Sequence, residues 1–143
     1  MLRQSLIATL MVVSLAAPAA AKGVLYDCKL DAKRAKGWVS PTMAIVFEDA
    51  GTVKVADGAL LHYVGHPVVA RVRKSGDVAR LHWNIAGAHD HVGQVIPTFS
   101  YTAKLNLKTL GVSVLAKPVG FPQRFTGKGT CKKRNSTRGF PKG

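Results

Sequence analysis

Five histidines, His62, His66, His82, His89 and His91, fall in one stretch of a chain that holds only two cysteines. Clustered imidazoles suggest metal ligation, and spacing decides which of them could share an ion. His62 and His66 would do so if they stood four apart on a helix, but an extended segment separates them by about 13 Å at about 3.3 Å per residue. His89 and His91, in the loop Gly87-Ala88-His89-Asp90-His91-Val92-Gly93, could both turn toward one ion, with Asp90 between them and His82 a candidate neighbour. His89 and His91 are therefore the candidate metal ligands. The alternative is a polar loop whose histidines meet only solvent.

Covalent and acid-base chemistry have less to work with. There is no G-x-S-x-G elbow and no glycine-rich phosphate loop, and pairing of the two cysteines would leave no free thiol. The carboxylates Asp27, Asp31, Glu48, Asp49, Asp57, Asp77 and Asp90 fall mostly in turns or beside lysine, with no coupled pair that would separate an acid from a base. A small hydrolase is the weaker alternative reading, and no cofactor motif is present.

Charge says more. Lys and Arg total 21 against 7 Asp and Glu, for a formal net charge of +14. Basic residues recur at alternate positions: Arg71, Arg73, Arg80, Lys104 and Lys108, then Arg124, Lys128 and Lys132-Lys133-Arg134. Arg71, Arg73, Arg80, Lys104 and Lys108 are expected to form one outward anion-binding patch, since successive antiparallel strands are usually neighbours. Anionic lipid, acidic polysaccharide or an acidic protein would suit such a surface, whereas nucleic acid is disfavoured by export. The alternative is that these charges only keep strands soluble and apart.

Positioning falls to strands, because the dominant period from Lys22 onward is two. Val24, Tyr26, Cys28 and Leu30 alternate with polar partners, Met43, Ile45 and Phe47 define a second strand, and Val53 and Val55 a third. Asp57-Gly58 then reads as a tight hairpin turn into a strand over Leu60 to Val64. Val68 to Lys74 and Ala79 to Ile85 follow, and Thr98 to Lys108 is the longest clean alternation. Val112 to Ala116 and Phe125 to Cys131 complete the set. Eight or nine short strands predict an all-β fold, a small antiparallel barrel, with a β-sandwich as the alternative. Cys28 and Cys131 lie on inward faces of the first and last strands, so a disulfide between them would close the sheet. Trp83, Phe99, Tyr101 and Phe125 are expected in the core, while Trp38 either caps the barrel or forms part of a mouth.

The chain begins as export machinery reads it: Arg3, an apolar run from Ser5 to Ala17, and the small residues Pro18-Ala19-Ala20-Ala21. Residues 1–21 are expected to be a cleaved signal peptide, residues 22–131 a single β-domain and residues 132–143 a flexible basic tail. Only Arg3 is charged in the leader, so residues 22–143 carry a formal charge of +13. The expected location is periplasmic or secreted, where a disulfide persists, with no transmembrane segment in the mature protein.

Tyr26-x-Cys28, Leu81-x-Trp83-x-Ile85, Tyr101-Thr102-Ala103 and Gly127-x-Gly129-Thr130-Cys131 together resemble small secreted bacterial β-barrel-like proteins of unknown function. The resemblance spans most of the domain and implies no particular chemistry. In architecture the chain is also similar to lipocalins and to periplasmic inhibitors of c-type lysozyme. It lacks the inhibitors' S-G-S-G-x-x-Y loop, and Gly37 and Trp38 are adjacent where lipocalins have G-x-W. Its basic surface would also repel a basic lysozyme. These readings converge on an exported, non-enzymatic binding module for an anionic envelope component or acidic partner. A metal-binding protein using the loop histidines is the alternative.

Overall fold

A computed structural model describes residues 22–143; the expected signal peptide lies outside the described residues. Nine strands and one short helix follow in the order β1 (Gly23–Asp31), β2 (Thr42–Glu48), β3 (Val53–Asp57), α1 (Gly58–Tyr63), β4 (Val68–Val69), β5 (Arg71–Ser75), β6 (Val78–His89), β7 (Val95–Asn106), β8 (Gly111–Pro118) and β9 (Phe125–Arg134). They form one antiparallel sheet in the order β4-β3-β2-β1-β9-β8-β7-β6-β5. Its two edge strands, β4 and β5, are separated in sequence only by Ala70, whose backbone N–H donates to Val53 O at 2.9 Å. One stretch of chain thus pairs first with β3 and then with β6, and the sheet curls into a nearly closed up-and-down barrel. The sandwich alternative is excluded.

Cys28 and Cys131 stand opposite each other in the β1–β9 ladder and are bonded, 103 positions apart in sequence. The seam around them is crowded. A Cβ on Gly129 would collide with the backbone oxygen of Lys29 and lie 2.8 Å from Leu30 Cα, so only glycine lets β9 approach β1 this closely.

Alternation fills the interior. Ile45, Leu81, Phe99, Tyr101, Ala103 and Leu105 are almost fully buried, and Trp83 stacks on Tyr101 with ring centroids 5.4 Å apart. At one end Tyr26 meets Phe47 edge-on at 5.5 Å, and Lys74 Nζ lies 5.1 Å above the Phe47 ring. Outward positions are mostly polar or charged, among them Asp27, Lys29, Arg71, Arg73, Arg80, Lys104 and Lys128. Among the described residues no helix is long and apolar enough to cross a membrane.

Three expectations are corrected here. Leu60 to Val64 is not a strand and Asp57-Gly58 is not a hairpin turn: Asp57 is the N-cap of α1, its carboxylate accepting from Leu60 N at 2.7 Å. Ala59 N donates to Ser40 Oγ at 3.1 Å, and Ala59 and Leu60 are buried against the barrel. Capping of two orphan donors outweighs the strand pairing that this segment would otherwise need. Next, β9 runs on to Arg134, with Lys132, Lys133 and Arg134 paired to Asp27, Tyr26 and Leu25. Residues 135–143 then lie near the outer side of β1 and β2, where Thr137 approaches Gly23 and the outward Leu25 and Val46 are buried. Finally, Lys108 is not on a strand face, because β7 ends at Asn106 and the Asn106 side chain accepts from the N–H groups of Lys108 and Thr109 to form the turn.

Candidate functional site

The up-and-down topology sorts the connections by length. Residues 49–52, 76–77 and 107–110 make short turns at one end, whereas 32–41, 58–67, 90–94 and 119–124 all emerge at the other. Long loops gathered on a rigid scaffold are where binding surfaces are usually built. Together these four segments enclose a cleft of about 740 Å³ over the filled barrel core.

Trp38 forms its floor. Its ring lies 4.4 Å from Phe99 at an interplanar angle of 19°, and Tyr63 and Phe125 stand at 6.1 Å and 6.3 Å. The loop is held from below, since the buried Tyr101 hydroxyl donates to Trp38 O at 2.9 Å. Burial raises the Tyr101 hydroxyl pKa, and the nearby Asp57 and Tyr63 push it the same way, so this group stays a neutral donor. Across the cleft, Tyr63 OH donates to His89 O at 3.0 Å and ties α1 to the β6–β7 hairpin. That hairpin changes face where Gly87, at φ +68°, stands level with Pro97: Ile85 and Phe99 are buried on one side of this level, Ala88 and Ile96 on the other.

His62, His89 and His91 all line this cleft, together with Lys36, Gln94 and Asp90. His66 and His82 are elsewhere: His66 Nδ1 lies 2.8 Å from Pro67 O, and His82 is on the outer wall, 3.4 Å from Thr102 Oγ1. Asp90 is engaged in folding its own loop, accepting from Val92 N at 3.0 Å and Gln94 N at 2.8 Å. Among the described residues no three His, Cys, Asp or Glu side chains converge as a metal-ligand set. Phe125, expected in the core, is half-buried and lines the cleft.

The basic patch is a separate feature of the outer wall, near the short-turn end on β6, β7 and β8 and reaching the level of Asp31, the last residue of β1, at Lys128. Arg73 stands opposite Arg80, Arg80 opposite Lys104, Lys104 opposite Ser113, and Ser113 opposite Lys128, so one row crosses β5 through β9. Adjacent strands are about 4.8 Å apart, which makes the row about 19 Å long. Arg71 is also outward on β5, opposite His82, while Lys108 lies beyond the ladder in the β7–β8 turn. The ion pairs among the described residues are Lys54–Glu48 and Arg134–Asp27, and neither involves the row. The row was legible from alternation; the cleft was signalled only by Trp38 and the histidines, taken separately. No protein-family model, curated protein or solved structure matches this chain.

Proposed function

We propose that the protein is an exported, non-enzymatic binding module whose basic row holds an anionic component of the cell envelope. One observation carries this reading: Arg73, Arg80 and Lys104 are exposed and directly opposed on three successive strands, and among the described residues no carboxylate is paired with any of them. Like charges facing each other across strands weaken a sheet. Solubility requires only that charge be present, and mixing the signs would supply it without that cost. The row also follows the curved wall of the barrel. A flexible acidic polysaccharide can track it, whereas a flat bilayer would touch only part of it. The bonded Cys28–Cys131 pair accords with a periplasmic or secreted location.

A hydrolase reading finds less support, because the cleft is lined by a single carboxylate, Asp90, whose Oδ1 already accepts two backbone donors. The test is binding of the purified protein to polygalacturonate, with neutral dextran and anionic vesicles as comparisons. Affinity for the polyanion should fall steeply between low and physiological salt, since exposed charges are screened beyond about 8 Å at that ionic strength. Arg73→Gln, Arg80→Gln and Lys104→Gln combined should reduce it at least tenfold, and removal of residues 135–143 should change it little. Equal binding by the triple variant would reject the reading.

A further inference from the structure

The cleft at the long-loop end is distinct from the basic row, none of whose residues lines it. We propose that it binds a small amphiphilic anion: an acyl or aryl body carrying one carboxylate or phosphate group.

The floor and rim of the cleft suit an apolar body. Trp38, backed by the buried Phe99 on which it stacks, and the half-buried Phe125 present an aromatic surface, and Tyr101 and Tyr63 fix its flanks by hydrogen bonds to Trp38 O and His89 O. A surface already held in one arrangement loses little conformational freedom on binding. Apolar groups are exposed at the same end: Phe121 at 40% on the β8–β9 connection, which lines the cleft, and Val92 at 73% and Val95 at 53% on the β6–β7 hairpin. Large apolar side chains gathered in the open are a usual sign of a binding surface. The volume of about 740 Å³ lies within the range of small-molecule sites, about 300–1,000 Å³. The barrel interior below is filled by side chains, so the ligand rests on the core and does not enter it.

The polar lining suits an anionic head group. Lys36 supplies a cation, and the imidazoles of His62, His89 and His91 supply N–H donors. The single carboxylate, Asp90, is turned to the Val92 and Gln94 N–H groups of its own loop. Residues 22–143 carry a formal charge of +13, and that field draws anions toward the whole molecule. A cationic amphiphile would meet the opposite field.

The test uses three ligands with one chain, dodecanoate, dodecyl phosphate and dodecanol, each titrated into the purified protein below its micelle concentration. Calorimetry gives the stoichiometry and tryptophan emission reports the site, for Trp38 lines the cleft while Trp83 is buried in the core. Saturable one-to-one binding of at least one anion is expected, at least tenfold tighter than dodecanol. The ratio between dodecanoate and dodecyl phosphate then tells a free carboxylate from a phosphate head. Lys36→Gln should weaken the preferred anion three- to tenfold, and Phe121→Ser, at an exposed position, should weaken all three ligands. Arg73→Gln with Arg80→Gln, at the other end of the barrel, should leave these affinities unchanged. No saturable binding of either anion would overturn the proposal, as would affinity for dodecanol equal to that for both anions. Binding indifferent to both Lys36→Gln and Phe121→Ser would do so too.

Discussion

The hydroxyl of Tyr101 donates to the backbone carbonyl of Trp38 at 2.9 Å, joining residues 63 positions apart in sequence. Tyr101 is a core residue of β7, 1% exposed, and Trp38 is the floor of the cleft, so one bond transmits the rigidity of the barrel to its mouth. Tyr101→Phe keeps the ring and its stack on Trp83 while removing the donor. It should cost about 0.5–1.5 kcal/mol in urea denaturation, and Trp38 should become more accessible to acrylamide quenching. An unchanged quenching constant would mean that stacking on Phe99 alone holds the loop.

Asp57 gives the fold a pH dependence of definite sign. Burial raises its carboxyl above the ordinary carboxylate value, against the opposing pull of the Leu60 and Ala59 N–H groups. Between the ordinary value and the raised one the native state holds the extra proton, so stability falls as pH climbs through that window. Asp57→Asn preserves an oxygen to accept from Leu60 N and removes the ionisable group. Relative to the parent protein the variant should be more stable at pH 7 than at pH 4, as measured by denaturant unfolding at the two pH values.

Opening the disulfide should be the most costly single change at the seam. For a closed loop of about 100 residues the chain-entropy model gives about 4–5 kcal/mol as an upper figure. The Cys28→Ser, Cys131→Ser variant should therefore lose several kcal/mol of unfolding free energy, and hydrogen exchange should quicken first at the β1–β9 ladder. Uniform quickening over all strands would show that the seam is not where the barrel opens.

Gly129→Ala tests the same seam through packing. Its new methyl group would meet the Lys29 carbonyl, which is backbone and can yield only by separating the strands. A loss of at least about 1–3 kcal/mol is expected, as for other overpacked sites. Lys128→Ala, next to it and pointing outward, should cost less than about 0.5 kcal/mol.

Alternation made most of the barrel legible, because Phe99, Tyr101, Ala103 and Leu105 can be sorted from Ser100, Thr102 and Lys104 in only one way by an extended chain. The same regularity placed Cys28 and Cys131 inward and Arg73, Arg80 and Lys104 outward. It failed at Leu60 to Val64, where apolar residues at 60, 61, 63 and 64 suit either period and the deciding signal is Asp57 as an N-cap. It also failed at the Gly87 and Pro97 level, where both strands of the hairpin change face together and the alternation breaks without shifting the register. The cleft was the least legible feature. Lys36, Tyr63, Asp90 and Phe121 belong to four separate connections, and only the closed topology brings them to one end.

The most direct measurement of the central claim is amide chemical-shift mapping of the labelled protein during titration with an oligogalacturonate at low salt. The largest changes should follow the row through Arg73, Arg80, Lys104 and Lys128, collapse on addition of salt, and vanish in the Arg73→Gln, Arg80→Gln, Lys104→Gln variant. Changes confined to residues 135–143 or spread evenly over every exposed lysine would contradict it, and the row would then be a solubilising surface.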